Sequence, residues 1–99
     1  MDVNTLKFTD AEFPRLLEHL SSPPKQLYWS GRAPNDWINK PKVAIVGSRK
    51  LTPYGKTITN RLAGQLSRAG VVIISGLAYG IDVTAHLAAL DAGGLTVAV

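Results

Sequence analysis

Two short stretches of this 99-residue chain combine glycine, hydroxyl and basic side chains in a way that suits phosphate. The first is Gly47-Ser48-Arg49-Lys50-Leu51-Thr52. A glycine lets the backbone turn sharply and approach a ligand closely. An arginine grips phosphate through two parallel hydrogen bonds, and a lysine adds a point charge. The second is Ser75-Gly76-Leu77-Ala78-Tyr79-Gly80-Ile81-Asp82, whose two glycines again suit close backbone approach to an anion. Gly47, Ser48, Arg49, Lys50, Ser75, Gly76 and Gly80 are therefore the candidate phosphate-binding residues. Tyr79 offers a face on which a base of a single strand can stack, or a loop aromatic that packs on its neighbour. Read alone, Gly47 and Arg49 also fit a turn glycine and a surface charge.

Neither stretch matches the common nucleotide-binding patterns. Arg49 stands where the second glycine of GxGxxG belongs, and no Gly-Lys-Ser/Thr follows at P-loop spacing. Both departures count against a dinucleotide oxidoreductase and an NTPase. Asp82 and His86 are four residues apart and share a helix face. A Ser-His-Asp hydrolase built from them with Ser48 or Ser75 is disfavoured, because Asp82 is better placed to cap a helix than to orient a histidine. Two histidines without a carboxylate cluster, and no cysteine, leave no metal site to expect. No catalytic residue and no cofactor are expected.

The elements that must carry these stretches follow from periodicity. Lys42 to Gly47 is a short, β-branched apolar run, the pattern of a strand buried on both faces of a parallel sheet. Thr52 and Pro53 are a cap and a first helical residue. Ile58, Leu62, Leu66 and Ala69 recur near helical spacing as the expected inward face, and Gly70 stops the helix. Val71 to Ser75 reads as a second buried strand. Asp82 is the expected cap of a second helix, with Val83, Leu87, Leu90 and several alanines inward, ended by Gly93-Gly94. Leu95 to Val99 begins a third strand. The order β-α-β-α-β is half of a doubly wound α/β fold, in which ligands sit beyond the carboxyl ends of the strands. Both glycine-bearing stretches fall there. Because the third apolar run reaches the end of the sequence, and an open parallel edge is costly, the sheet is expected to continue beyond these residues.

Residues 1–40 read as a leader. Pro14 to Leu20 predicts a short helix with Leu16, Leu17 and Leu20 as its stripe, stopped by Pro23-Pro24. Gln26 to Trp29 predicts an edge strand, and Ser30 to Lys40 a loop. Residues 41–99 form the expected half-domain. Trp29 and Trp37 read as core or interface residues, with Trp37 in a basic loop also able to touch a base.

Net charge is +4, and its placement says more than its total. Arg32, Lys40, Lys42, Arg49, Lys50, Lys56, Arg61 and Arg68 face only Asp36 in the middle of the chain. Focused positive charge argues for a polyanionic partner, although a solvated basic helix face has the same signature. The hydrophobic fraction of 45% is that of a globular domain. The N-terminal residues lack the pattern of a signal peptide, and no apolar run approaches the roughly 20 residues that span a bilayer. A cytoplasmic protein without a membrane partner is expected.

Together the segments resemble the DNA-processing protein A (DprA/Smf) family. The matching pieces are Phe13 to Leu17, Pro24 to Gly31, Val43 to Arg49 (VAIVGSR), Tyr54-Gly55, and Ser75 to His86 (SGLAYGIDVTAH), continuing through Gly94 to Val99. The resemblance implies a Rossmann-like domain that binds single-stranded DNA, helps load a RecA-type recombinase, forms a homodimer at full length and acts in natural transformation, with no catalytic activity. It places the phosphate-contacting arginine at Arg49, and the glycine-rich pocket at Ser75, Gly76 and Gly80. Tyr79 falls at a position where many members carry other residues. The dimer and recombinase surfaces would lie outside these residues. The alternative is a nucleotide sensor or a nucleoside-phosphate phosphoribohydrolase of the same superfamily. A polymer is favoured by the spread of basic residues, because each added phosphate contact strengthens binding.

Overall fold

The structure is a computed structural model that describes residues 2–99, and the opening Met1 of the predicted leader lies outside them. The chain divides into two compact units, residues 1–39 and 40–99.

In the first unit, β1 (Asn4–Lys7) pairs antiparallel with β2 (Gln26–Trp29). Strand β1 lies in a stretch for which the sequence predicts no strand. It forms because its partner supplies the ladder, and Leu6 is its one buried residue. The expected helix after Pro14 is instead a 3₁₀ turn over Arg15–His19 with no buried residue. Its supposed apolar stripe is exposed at Leu16 and Leu20. The anchor is Phe13, 1% exposed, which packs on Phe8 at 5.2 Å between ring centroids and lies under the Arg15 guanidinium at 5.7 Å. One aromatic held by a ring and a cation is worth more than three leucines on a turn too short to present a face. A second 3₁₀ turn, Pro34–Asp36, interrupts the predicted loop, and both tryptophans are half-buried.

The second unit is an α/β fold. Its strands β3 (Lys42–Ala44), β4 (Val72–Ser75) and β5 (Thr96–Ala98) form a parallel sheet in that order. Helices α1 (Pro53–Arg68) and α2 (Ile81–Asp91) connect them. Connections between parallel neighbours are right-handed in nearly all proteins, so two that step the same way lay their helices on one face. Accordingly α1 packs on α2 and both pack on β4. Thr52 caps α1 as its spacing predicts: its Oγ1 accepts from the Gly55 N–H at 3.0 Å, with Pro53 in the first turn. Gly70, at φ +85°, follows the helix end in the left-handed region.

Burial departs from the predicted pattern in three places. The predicted strand is not covered on both faces: Val43 in β3 and Val46 just after it are exposed, and among the described residues β3 pairs with β4 alone. The inward face of α1 is not its leucine stripe but Thr59, Ala63, Gly64 and Ser67, while Leu62 is exposed and Leu66 half-buried. On α2 the buried apolar residues are Ala85, Ala88 and Ala89, and Leu87 and Leu90 face outward. On the two helices the reason is the same. Small side chains let two helices approach each other and the sheet closely, and in the core cluster Ala63, Ala85, Ala88 and Ala89 surround Ile73, with Ile45 and Leu66 partly buried against them.

Candidate functional site

The loop after β3 and the loop after β4 meet at the carboxyl end of the sheet, and the contact is close enough to need glycine on both sides. A Cβ on Gly80 would lie 2.3 Å from the Ser48 carbonyl oxygen and 2.7 Å from that of Arg49. Gly80 also sits at φ 86°, ψ −126°, a conformation open to glycine. A Cβ on Gly47 would lie 2.8 Å from Cγ1 of Ile81. One hydrogen bond closes the junction, from the Ile81 N–H to the Ser48 oxygen at 3.1 Å.

Ile81 is the residue that sequence reasoning missed. Its Cβ and Cγ atoms lie over Gly47, and its Cδ1 would lie 3.4 Å from a Cβ on Gly55 in the first turn of α1. One side chain therefore fills the space left by glycines in two separate motifs. The only hint in the sequence was that a large apolar residue directly follows Gly80. The close approach expected at Gly47 is thus made by the opposite loop.

The structure brings Gly47, Ser48, Arg49, Lys50 and Gly80 together. The Ser48 Oγ accepts from the Lys50 N–H at 3.0 Å, which tightens the turn that carries the two cations. Arg49 and Lys50 are exposed, and neither takes part in an ion pair among the described residues. Tyr79 is 84% exposed beside Gly80, and Tyr54, 77% exposed, leaves the first turn of α1 just before Gly55. Ser75 is set behind the surface. It is 3% exposed, and its hydroxyl donates to the Ile45 carbonyl at 2.6 Å, which ties β4 to the end of β3. Gly76 is half-buried beneath α2.

Asp82 does not cap α2. The cap position belongs to Gly80, whose carbonyl accepts from the N–H and the hydroxyl of Thr84. Asp82 lies in the first turn, 8% exposed, where a carboxylate complements the positive end of the helix. His86 faces no serine. Its Nε2 is 2.7 Å from the Gly76 carbonyl oxygen and its Nδ1 is 2.5 Å from Thr96 Oγ1. A ring with both nitrogens so engaged is no general base for Ser48 or Ser75. Among the described residues, no three His, Cys, Asp or Glu side chains cluster to hold a metal, and no helix is long and apolar enough to cross a membrane.

Such a rim can hold an extended anion. It offers an arginine fork, an ammonium and the exposed ring of Tyr79 on two loops in contact with one another, beside the N-terminal end of a 16-residue helix that carries the exposed ring of Tyr54.

Residues 4–99 match the family model described as DNA recombination-mediator protein A. The chain is 38% identical over 98 residues to the DNA processing protein DprA of Bacillus subtilis, covering 98% of this chain and 32% of that protein. It is 41% identical over 92 residues to the protein Smf of Synechocystis, covering 91% of this chain and 23% of that one. Its fold is similar to DNA processing protein A of Streptococcus pneumoniae, with a TM-score of 0.87, 36% identity and coverage of 100% of this chain and 34% of the other. It is also similar to DNA processing protein A of Helicobacter pylori, a structure concerned with that protein's single-stranded DNA binding mode, with a TM-score of 0.79, 40% identity and coverage of 91% and 40%. The chain thus spans well under half the length of these relatives.

Proposed function

The chain belongs to the DNA recombination-mediator protein A family, and from that premise we propose that it binds single-stranded DNA at the rim where the loops after β3 and β4 meet. The observation that carries the reading is the junction of Gly80 with the Ser48–Arg49 backbone, next to which Arg49 is exposed and, among the described residues, paired with no carboxylate. Arg49 supplies the fork to a phosphate, Lys50 adds charge, and Gly47, Ser48, Gly76 and Gly80 shape the backbone around it. Ser75 braces the strands from behind. Tyr79 stacks on a base. The basic residues from Arg32 to Arg68 supply the longer-range attraction to a polyanion.

For the whole protein the proposal extends to loading of a RecA-type recombinase, homodimerisation and a part in natural transformation, as a mediator rather than an enzyme. Those surfaces are assigned outside these residues.

The test is fluorescence anisotropy of a labelled single strand and its matching duplex across a salt series, with Arg49→Ala beside the parent. The expected result is preference for the single strand and a salt slope of about −0.7 per phosphate contact. Arg49→Ala should lose at least about 1 kcal/mol and lower the slope by about one contact. Binding that ignores Arg49, or tight binding of a mononucleotide in place of the strand, would favour a nucleotide sensor instead.

A further inference from the structure

Asp82 and His86 stand one helical turn apart on α2, and both converge on Gly76. The His86 Nε2 meets the Gly76 carbonyl oxygen at 2.7 Å. A carbonyl only accepts, so Nε2 carries the proton of that bond. On the other side, the Asp82 Oδ2 fills the space of a side chain at Gly76: a Cβ there would lie 2.7 Å from it. Gly76 is thus gripped at its carbonyl and packed against at its Cα. The imidazole reaches further, since its Nδ1 meets Thr96 Oγ1 on β5, which in turn stands 3.1 Å from the Ile73 oxygen on β4. Both Asp82 and His86 are only 8% exposed, so neither can touch a large ligand. Burying an imidazole and a carboxylate is costly unless their polar atoms are satisfied. An apolar pair would fill the same space more cheaply, but could not hold a carbonyl in a fixed direction.

We propose that His86 and Asp82 are positioning residues for the glycine-rich loop, acting through Gly76 to fix the path of residues 76–80 and so the seat of Gly80 against Ser48 and Arg49. The inference rests on the reading of this rim as the single-stranded DNA site. The working contact is Nε2 to Gly76; the Nδ1 contact with Thr96 only anchors the ring to the sheet.

Two amide replacements separate those contacts. In His86→Gln the side-chain nitrogen falls where Nε2 stood and retains the Gly76 bond. In His86→Asn it falls where Nδ1 stood and retains only the Thr96 side. Thr96→Val removes the anchor without touching the ring. Each variant of the intact protein is read by hydrogen exchange at the Ile81 amide, which bonds the Ser48 oxygen, and by anisotropy with a labelled oligothymidylate. His86→Gln and Thr96→Val should keep exchange and affinity within about threefold of the parent, and His86→Asn should lose about tenfold in both, the size of one buried hydrogen bond. Equal behaviour of the Gln and Asn variants at the Ile81 amide, whether both intact or both lost, overturns the proposal. The exchange pattern as expected, with no strand bound by the parent, upholds the positioning role and sinks the DNA reading.

Discussion

The backbone nitrogen of Ile81 lies 3.1 Å from the carbonyl oxygen of Ser48. That bond ties the start of α2 to the turn that carries Arg49 and Lys50, and the glycines on either side exist to let it form. Two loops that would otherwise move separately become one surface, and an arginine on a fixed loop loses less freedom when it meets a phosphate.

Gly80 is the least replaceable residue of the junction. A methyl group there would strike two carbonyl oxygens of the backbone, at 2.3 and 2.7 Å, from a backbone conformation that side chains rarely adopt. Strain of this kind costs on the order of 1–3 kcal/mol before the collision is added. Gly80→Ala should therefore lower the unfolding free energy by at least about 2 kcal/mol in urea denaturation. A loss below about 0.5 kcal/mol would mean that the loops are not in contact.

Gly47 meets a side chain instead of backbone, so its penalty should be relievable. Gly47→Ala is expected to destabilise by about 1–3 kcal/mol through overpacking against Ile81. Ile81→Ala alone should also destabilise, by loss of the packing at Gly47 and Gly55. Combined, the two should cost less than their sum, with a coupling of at least about 0.5 kcal/mol in a double-mutant cycle. Strict additivity would contradict the packing described here.

The cap of α1 is a simpler case. Thr52→Ala removes the acceptor for the Gly55 N–H and should cost about 1 kcal/mol by thermal denaturation. Thr52→Ser keeps the oxygen and should restore most of that loss.

The exposed rings make a separate prediction about bases. Tyr79→Ala should weaken binding of an oligothymidylate by about 1 kcal/mol or more, while Tyr79→Phe should leave it unchanged, since stacking needs the ring and not the hydroxyl. The salt slope should stay that of the parent in both, measured by the same anisotropy titration.

Much of the second unit was legible because its signals are local. The β-branched run ending in Ser75, the Thr52-Pro53 start and the Gly70 stop are each decided by neighbours within a turn or a strand, and all three stand as read. The misreadings were of distant partners. Periodicity picks out the largest apolar residues, and so it set Leu62 inward in place of Ala63 and Gly64; on α2 it read the buried alanines correctly but added Leu87 and Leu90, which face outward. Asp82 has the chemistry of a cap, but Gly80 holds that position because only glycine fits against Ser48. In the first unit, β1 depends on a strand about twenty residues away and has no pattern of its own. At the candidate site the glycines were conspicuous, yet what fills the space over them, Ile81, comes from the far side of the junction.

The most direct test of the site is an NMR titration of the protein with a short oligothymidylate, following backbone amides residue by residue. The largest shifts should fall in the two loops, at residues 47–52 and 76–81, and should fade as salt is raised. Shifts confined to other surfaces, with those loops unmoved at saturating strand, would contradict the proposed site.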